Sequence, residues 1–426
     1  MSEPNNIKKS GWRRKIAGFW KILGPGLITG ASDDDPSGIA TYSQAGAGFG
    51  LSMLWTALVT FPLMAGVQEM CARMGAVTSK GLTGIIKDHY SRTLMVIMVL
   101  FSFPAIVLNI GADLEGMGAV AHLIIPGLPI YGAEIGFTFL LIIGLIFFSY
   151  HRIASILKWL CLTLILYLII PFLVNVDWWQ VARNTFLPQI RLNRDFFEIL
   201  VAILGTTISP YLFFWQATME AEDVSNDKTH VVVDRSFLER LQTDIFSGML
   251  FSNLVMFFII LTTGVVLFRA GQFKIETVEQ AAKALEPLAG RVTYLLFAIG
   301  IIGTGFLAIP VLAGSLSYTV AEAFDWTEGL QKKFTQAPGF YITIVLSLLA
   351  GLCLDFLNIN PIKALLYTAI LYGLTAPVLI GIILHICNNK NVMGDSTNGK
   401  LSNILGMIAL ILMSSAAIAL VWFQFS

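Results

Sequence analysis

The chain has 426 residues and no formal net charge, and only 13% of its residues are charged while 56% are hydrophobic. A soluble protein of ordinary composition carries about 25% charged residues, so we expect a polytopic protein of the lipid bilayer. The neutral net charge argues against nucleic acid as a partner. Its four cysteines show no paired spacing that would indicate a zinc site or a disulfide framework.

Apolar runs recur along the whole chain. A membrane-spanning helix needs about 20 mostly apolar residues, and the sequence predicts eleven such helices. They lie near 18–46, 51–76, 94–124, 134–150, 153–176, 196–219, 242–268, 291–323, 339–356, 361–387 and 402–424. The intervening loops are short, so we expect a single membrane domain preceded by a tail at 1–17.

Basic residues give the expected orientation. The segment before and at the start of the first helix carries Lys8, Lys9, Arg13, Arg14, Lys15 and Lys21. Lys and Arg accumulate in cytoplasmic loops, and alternate loops of this chain follow that rule, although the loops near 177–195 and 269–290 are mixed. The pattern predicts a multi-pass protein of the cell membrane with a cytoplasmic N-terminus and an external C-terminus.

Two of the predicted helices are interrupted near their middles. The first contains Asp35-Pro36-Ser37-Gly38, and the sixth contains the run from Gly205 to Pro210. Gly and Pro open the hydrogen-bond ladder of a helix, and freed carbonyls are tolerated at membrane depth only where they face protein, water or a ligand. Matched interruptions indicate two inverted repeats with a central site, here 18–176 and 196–387, with 402–424 as an extra helix. The alternative is that each break is only a structural kink.

Three consecutive aspartates precede the first interruption. An ionised carboxylate within a membrane is costly and is retained for a partner or a function. Helical spacing directs Asp33, Asp34 and Asp35 about 100° apart, so all three cannot reach one ligand. Asp35 lies at the break and is the candidate ligand, while Asp33 and Asp34 either line a water-filled approach or pair internally.

The segments LGPGLITGASDDDPSGIATYSQAGAGFG (Leu23–Gly50), VQEMCARMGAVTSKGL (Val67–Leu82), LEPLAGRVTYLLFAIGIIGTGFLAIPVLAG (Leu285–Gly314) and NNKNVMGD (Asn388–Asp395) resemble those of the NRAMP divalent-metal transporter family. The resemblance extends over about residues 15–424. It implies an all-α, LeuT-like fold of eleven helices, with helices one and six unwound at the middle. It also implies a central metal site and transport by alternating access.

The resemblance also implies which residues hold the metal, and here the chain departs from the family. The family uses an Asp and an Asn in helix one, and an Ala carbonyl and a Met sulfur in helix six. Asp35 keeps the first role and Thr206 stands at the Ala position, but Gly38 replaces the Asn and Ser209 replaces the Met. A thioether favours transition metals, whereas oxygen ligands favour harder ions, and Mg²⁺ retains several waters. The expected ligands are Asp35, Thr206 and Ser209, and the expected substrates are Mg²⁺ and Mn²⁺, as in the NRAMP-related magnesium transporter branch.

Other residues are expected to line the site or its pathway. They are Asp34, Ser37, Gly38, Tyr211, Gln216 and Glu115. Gln216 stands where the family has a helix-six histidine, and histidine is the usual proton carrier near neutral pH. Glu115 keeps a family acidic position, although Asp113 overlaps it in an alternative register. The loss of histidine favours transport without proton coupling. The membrane potential can drive inward flow without protons, because a divalent ion gains roughly 4.6 kcal/mol per 100 mV.

Several alternatives remain open at this point. A carrier of the same fold for a small organic solute would explain the lost metal ligands, and a non-transporting receptor is a third class. The acids Glu220 and Glu222 form either a solvated helix end or an acidic exit vestibule. No nucleophile–base pairing, HExxH motif or phosphate-binding loop indicates an enzyme. We expect no cofactor, the lipid bilayer and a divalent cation as partners, and a monomeric chain.

Overall fold

Helices are the regular elements of this protein wherever its structure is described. The computed structural model describes residues 29–30, 32–148, 164–226, 235–289, 293–354 and 360–425. The helices of the first half are α1 Pro36–Phe49, α2 Trp55–Thr78, α3 Leu82–His89, α4 Arg92–Ile124, α5 Ile130–Phe147, α6 Ile165–Ile169 and α7 Trp178–Phe186.

The second half continues the helical pattern. Its helices are α8 Arg194–Thr207, α9 Pro210–Asn226, α10 Arg235–Val266, α11 Val278–Ala282, α12 Glu286–Ala289, α13 Thr293–Phe324, α14 Pro338–Leu352, α15 Pro361–Asn388, α16 Lys390–Met393 and α17 Lys400–Phe425. Short 3₁₀ turns occupy Gly50–Met53, Ile170–Phe172 and Lys283–Leu285.

Seven helices of the described residues are long and apolar enough to cross a membrane. The segments Pro36–Met53 and Trp55–Thr78 meet at 110° and raise the number to eight if they form one span, while α14 is a shorter apolar helix. The all-helical membrane architecture is therefore confirmed, but the number eleven is not established. Much of the expected fifth helix, at 153–176, and the first part of the expected first helix lie outside the described residues.

The first interruption is shorter than the sequence predicted. Residues 29, 30, 32 and 33 are helical, Asp34 and Asp35 leave the helix, and α1 starts at Pro36. Ser37 and Gly38 therefore belong to the first turn of α1 and not to the break. Proline is well suited to a first helical position, and Asp35 caps the turn by accepting the Gly38 N–H at 2.6 Å.

The second interruption is likewise confined to two residues. Helix α8 continues through Gly205 and Thr206 to Thr207, and α9 begins at Pro210. Only Ile208 and Ser209 lie outside the helices. The last four carbonyls of a helix have no partner within it, and the Ser209 hydroxyl donates to the Gly205 and Thr206 carbonyl oxygens. The break thus leaves polar backbone groups at the centre of the bundle.

Close helix contacts hold both interrupted helices in the interior. Helix α1 packs against α10, and α8 packs against α15. At Gly205, a methyl group would overlap the carbonyl oxygen of Ala369, and at Gly46 it would overlap the Thr263 hydroxyl. Glycine is used at both positions because backbone from two helices approaches within contact distance. Close packing against α10 and α15 therefore holds both interrupted helices in the interior of the bundle.

Candidate metal centre between the two helix breaks

The two breaks face each other across a short distance. A Cβ atom placed on Gly38 would lie 3.3 Å from the Thr206 hydroxyl oxygen, 3.3 Å from the Asp33 carbonyl oxygen and 3.4 Å from Asp35 Oδ1. On the other side, the Tyr211 hydroxyl donates to the carbonyl oxygen of Ser32 at 3.0 Å. The structure thus brings together Asp35, Gly38, Thr206 and Tyr211, which the sequence had assigned to one site.

Asp35 is the carboxylate at the centre of this arrangement and is only 2% exposed. Its Oδ1 accepts the Gly38 N–H, and its Oδ2 accepts the side-chain N–H of Asn109 at 3.0 Å. The same Asn109 nitrogen donates to Asp113 Oδ2 at 3.1 Å. Two buried carboxylates therefore lie beside one amide, and together they form an oxygen-rich wall of the site.

Helix α4 supplies this wall, and the sequence reasoning missed part of it. The sequence predicts no role for Asn109, and Asp113 enters only as an alternative register for Glu115. Asn109 and Asp113 are four residues apart, which places them on one face of a helix, and this spacing was the signal available. Glu115 is rotated by about 200° from Asp113 and lines a different cavity, beside Tyr367.

Thr206 and Ser209 supply oxygen atoms from the second break. The Ser209 hydroxyl donates to the Thr206 carbonyl oxygen, while the Thr206 hydroxyl faces Gly38. Both residues are buried. The Thr206 carbonyl can accept a second contact and the Ser209 oxygen keeps its lone pairs, because a carbonyl and a hydroxyl oxygen each carry two acceptor sites. The donor atoms on this side of the site are thus hard oxygens.

Asp33 and Asp34 lie on the side of the first break that faces α10. Both are fully buried, and the Ser252 hydroxyl lies 2.7 Å from Asp33 Oδ2 and 3.4 Å from Asp34 Oδ1. The contact with Ser252 fits internal pairing, one of the two roles that the sequence offers, and the role of these two carboxylates stays a prediction. In the described part of the chain, no basic side chain forms an ion pair with Asp33, Asp34, Asp35 or Asp113.

Ser37 faces away from the second break. Its hydroxyl donates to the Leu365 carbonyl oxygen at 2.7 Å and lies 3.1 Å from the Thr368 hydroxyl. These contacts tie the first turn of α1 to α15. Ser37 therefore holds the turn that Asp35 caps, and its hydroxyl is directed at α15.

A buried polar chain leads from the first break along α9. The Thr29 hydroxyl donates to Gln216 at 2.6 Å, and the Gln216 amide donates to Glu220 at 2.8 Å. Gln216 is fully buried and Glu220 is 3% exposed. A neutral amide thus occupies the position at which a histidine was expected from the family pattern.

A cavity of about 610 Å³ opens at the C-terminal ends of α2, α9 and α13. Its acidic lining consists of Asp88, Glu222, Glu322, Asp325 and Glu328, and its basic lining of Lys80, Lys87 and Lys332. Glu222 accepts a hydrogen bond of 2.8 Å from Tyr318. This is the region that the sequence offered as an acidic vestibule, and of the two acids named there Glu222 lines the cavity.

Glu328 lies in the connection between α13 and α14, outside the membrane-spanning helices. Burial raises the pKa of its carboxyl group to about 9, and the nearby carboxylates of Glu322 and Glu222 act in the same direction, against a smaller opposing effect of Lys332. The carboxyl group therefore holds a proton at neutral pH. This proton reduces the repulsion among the acids that line the vestibule.

In the described residues, no group of three or more His, Cys, Asp or Glu side chains converges as a complete metal cage. The centre instead combines a small number of carboxylates with backbone and hydroxyl oxygens. Such a donor set suits an ion that keeps part of its water shell, and Mg²⁺ is bound in this way by one or two carboxylates and several waters.

Known proteins resemble this chain over nearly its whole length. Residues 26–423 match the family model described as natural resistance-associated macrophage protein-like. A protein named divalent metal cation transporter MntH from Acidiphilium cryptum is 25% identical over 395 residues, which cover 91% of this chain and 86% of that protein. A protein of the same name from Yersinia enterocolitica is 24% identical over 423 residues, which cover 94% of each chain.

Solved structures resemble the fold. The manganese transporter of Eremococcus coleocola, determined with an aromatic bis-isothiourea substituted compound, superimposes with a TM-score of 0.72 at 16% identity. It covers 98% of this chain and 88% of the other. The nucleobase-cation-symport-1 family transporter Mhp1 superimposes with a TM-score of 0.56 at 12% identity, covering 94% of this chain and 92% of the other. The fold is therefore the LeuT-like arrangement that the sequence predicted.

Proposed function

Because the chain belongs to the Nramp family, whose model matches residues 26–423, we propose that it is a secondary transporter for hard divalent cations. Mg²⁺ and Mn²⁺ are its proposed substrates, and the chain alternates access to the metal centre between the two sides of the membrane. The ion is cargo and no resident cofactor is needed. The relatives are named as transporters, and we propose that this chain has no enzymatic activity.

The observation that carries this proposal is the composition of the centre. Asp35 is held at one helix break, 3.4 Å from the position that a Cβ of Gly38 would take, and the Thr206 hydroxyl lies 3.3 Å from the same point on the opposite side. Ser209 contributes a hydroxyl where the family has a thioether. Oxygen donors without sulfur favour Mg²⁺ and Mn²⁺ over softer transition metals.

The buried amide of Gln216 supports transport without proton coupling. Its oxygen accepts from Thr29 and its nitrogen donates to Glu220, so the side chain takes part in a fixed network. An amide does not titrate near neutral pH, in contrast to a histidine. Inward flow then depends on the ion gradient and on the membrane potential. The potential contributes a free energy of roughly 4.6 kcal/mol per 100 mV for a divalent ion.

The proposed route ends in the vestibule. With the N-terminus in the cytoplasm, the ends of α2, α9 and α13 lie on the cytoplasmic side, and the cavity of about 610 Å³ between them is the exit. We propose a monomer in the cell membrane, with the C-terminus outside. Residues 18–176 and 196–387 form the two repeats that move against each other, 1–17 form a cytoplasmic tail and 402–424 form the extra helix.

Flux into proteoliposomes tests the proposal. Purified full-length protein should take up Mn²⁺ and Mg²⁺ under an inside-negative potential, and Asp35→Ala should reduce the initial rate at least a hundredfold. Asp395→Ala is the matched control, because Asp395 is an exposed carboxylate of a loop and its removal should leave flux unchanged. Uptake by Asp35→Ala at the wild-type rate would contradict the site assignment.

Coupling is tested in the same vesicles with a trapped pH indicator. Metal entry should leave the internal pH unchanged when the potential is clamped, and an imposed pH gradient alone should not drive uptake. Internal acidification in step with Mn²⁺ entry would contradict uncoupled transport while leaving the metal assignment intact.

A further inference from the structure

Two carboxylates meet at the first break on the side that faces α10. The side chains of Asp33 and Asp34 are both 0% exposed. The Ser252 hydroxyl lies 2.7 Å from Asp33 Oδ2 and 3.4 Å from Asp34 Oδ1. Consecutive residues of a continuous helix point about 100° apart. The two carboxylates reach one hydroxyl because the chain leaves the helix at Asp34.

A close approach of two backbones fixes this meeting point. A Cβ atom on Gly30 would lie 2.2 Å from the carbonyl oxygen of Gly248, so the first helical stretch and α10 are in backbone contact there. Residues three or four positions apart share one face of a helix. Asp33 follows Gly30 by three residues and Ser252 follows Gly248 by four. Both side chains therefore lie one turn beyond the contact, on the faces that meet.

Hydrogen bonding leaves two of the four carboxylate oxygens without a partner. Asp33 Oδ1 and Asp34 Oδ2 are buried and accept no hydrogen bond in the described part of the chain. Ser252 has a single hydroxyl proton, and that proton serves Asp33 Oδ2. A carboxylate buried without a partner is costly, so it either takes up a proton or binds a cation. A proton on either free oxygen would itself need an acceptor, and neither oxygen has one within hydrogen-bond distance.

The donor atoms at this point suit a hard cation with a single charge. They are the two free carboxylate oxygens and the hydroxyl oxygen of Ser252, which keeps its lone pairs. Ca²⁺ takes six to eight oxygen ligands and Mg²⁺ keeps several waters, whereas these side chains are fully buried. The cost of removing an ion from water rises steeply with its charge, which favours a monovalent ion here. Interrupted helices of transporters are a known setting for Na⁺.

This point is separate from the metal centre. Asp35 is directed to the opposite side of the break, where its Oδ2 accepts the side-chain N–H of Asn109 in α4 at 3.0 Å. A cation at Asp33 and Asp34 would therefore hold the break against α10 while Asp35 remains free to bind a metal ion.

We propose that one Na⁺ ion binds between the first break and α10, held by Asp33, Asp34 and the hydroxyl oxygen of Ser252. The ion compensates the two buried carboxylates and fixes the break in the geometry that presents Asp35 to the metal centre. It is a second cation site, distinct from the site of the transported metal.

Equilibrium binding of radiolabelled Na⁺ to purified full-length protein tests the site itself. The assay contains no divalent metal, and choline keeps the ionic strength constant. Wild-type protein should bind Na⁺ saturably, at about one ion per chain. Asp33→Asn and Asp34→Asn should each weaken binding at least tenfold, because each removes a negative charge at nearly constant side-chain size. Ser252→Ala keeps both carboxylates and should weaken binding about threefold, so it tests the site even if an aspartate variant does not fold.

Two matched controls place the same chemical changes elsewhere. Asp395→Asn alters an exposed aspartate, and Ser247→Ala removes a hydroxyl of α10 that donates within its own helix, to the Thr243 carbonyl oxygen. Both should bind Na⁺ like the wild type. Asp35→Ala should also bind Na⁺ normally, and because no transport is measured, this result is independent of the proposed function.

Three results would overturn the proposal. No saturable Na⁺ binding to the wild type would mean that protons alone compensate the two carboxylates. Wild-type affinity in both Asp33→Asn and Asp34→Asn would show that these side chains do not hold the ion. Loss of binding in Asp35→Ala would place the ion in the metal centre.

Uptake kinetics test the positioning of Asp35, a part of the proposal that rests on the proposed function. When choline replaces Na⁺ on both sides of the proteoliposome membrane, the wild-type KM for Mn²⁺ should rise about fivefold at a clamped potential. Asp34→Asn should have the same KM in both media. An equal wild-type KM in Na⁺ and in choline would overturn the positioning role, whereas the absence of any Mn²⁺ uptake would contradict the proposed function and leave the Na⁺-binding result unaffected.

Discussion

Asn109 donates a hydrogen bond of 3.0 Å from its side-chain nitrogen to Oδ2 of Asp35. The amide also lies 3.1 Å from Asp113, so it orients the proposed ligand and lies between two carboxyl groups. Loss of a hydrogen bond to a charged group costs about 1.5–3 kcal/mol. Asn109→Ala should therefore raise KM for Mn²⁺ uptake about tenfold or more, with a smaller effect on the maximal rate.

Initial-rate measurements over a range of Mn²⁺ concentrations check this prediction. Asn391→Ala, which alters an exposed amide outside the bundle, controls for general effects on the protein. A KM equal to that of the wild type would show that Asn109 does not position Asp35.

The metal preference should follow the ligands at Gly38 and Ser209. The triple change Gly38→Asn, Ser209→Met and Thr206→Ala restores the family's side-chain donors. The third change is included because a Cβ at position 38 would already lie 3.3 Å from the Thr206 hydroxyl. A thioether favours softer ions, so Cd²⁺ uptake should gain about tenfold over Mg²⁺ uptake.

Competition between Mg²⁺ and Cd²⁺ in one uptake assay gives the ratio directly. Thr206→Ala alone is the control, because it creates the space without adding donors. An unchanged ratio in a triple variant that still transports would mean that these positions do not contact the ion.

Local chemistry predicts that both helix breaks exist. The residues of other helices that contact these breaks could not be predicted from the sequence. Pro36 and Pro210 each occupy the first position of a helix, and the residues just before them mark the gap. The rotation of α4 and α10 is set by packing over distant residues, so the sequence could not show that Asp113 lies beside Asp35 while Glu115 lines a separate cavity. The bond from Ser252 to Asp33 spans 219 positions and depends on the same packing.

Gly205 should tolerate no side chain. A methyl group there would overlap the Ala369 carbonyl oxygen and the Gly373 backbone, so Gly205→Ala must push α8 away from α15 and disturb the second break. We expect loss of most transport and a lower melting temperature. Gly136→Ala is the matched control, because a Cβ there meets open space, and alanine should stabilise that helix by about 1 kcal/mol.

Thermal unfolding of both variants in detergent, together with Mn²⁺ flux, checks this prediction. The two substitutions are chemically identical and both lie in helices, so a difference between them reports the packing at α15. Equal melting temperatures and equal flux would contradict the close approach.

The raised pKa of Glu328 predicts how stability changes with pH. The folded protein holds this proton up to about pH 9, whereas an exposed glutamate releases it near pH 4.5. Between these values the folded state binds more protons than the unfolded state, so stability falls as pH rises through this window. Glu328→Gln cannot lose the proton and should remove this part of the pH dependence.

Melting temperatures measured from pH 5 to pH 9 check the sign. Glu328→Gln should match the wild type near pH 5 and become progressively more stable than it toward pH 9, where the wild-type carboxylate is repelled by Glu322 and Glu222. Glu276→Gln, at an exposed position, should follow the wild type throughout. A constant offset between Glu328→Gln and the wild type would mean that Glu328 is already ionised at neutral pH, and the three acids would then need a cation in the vestibule to offset their charge.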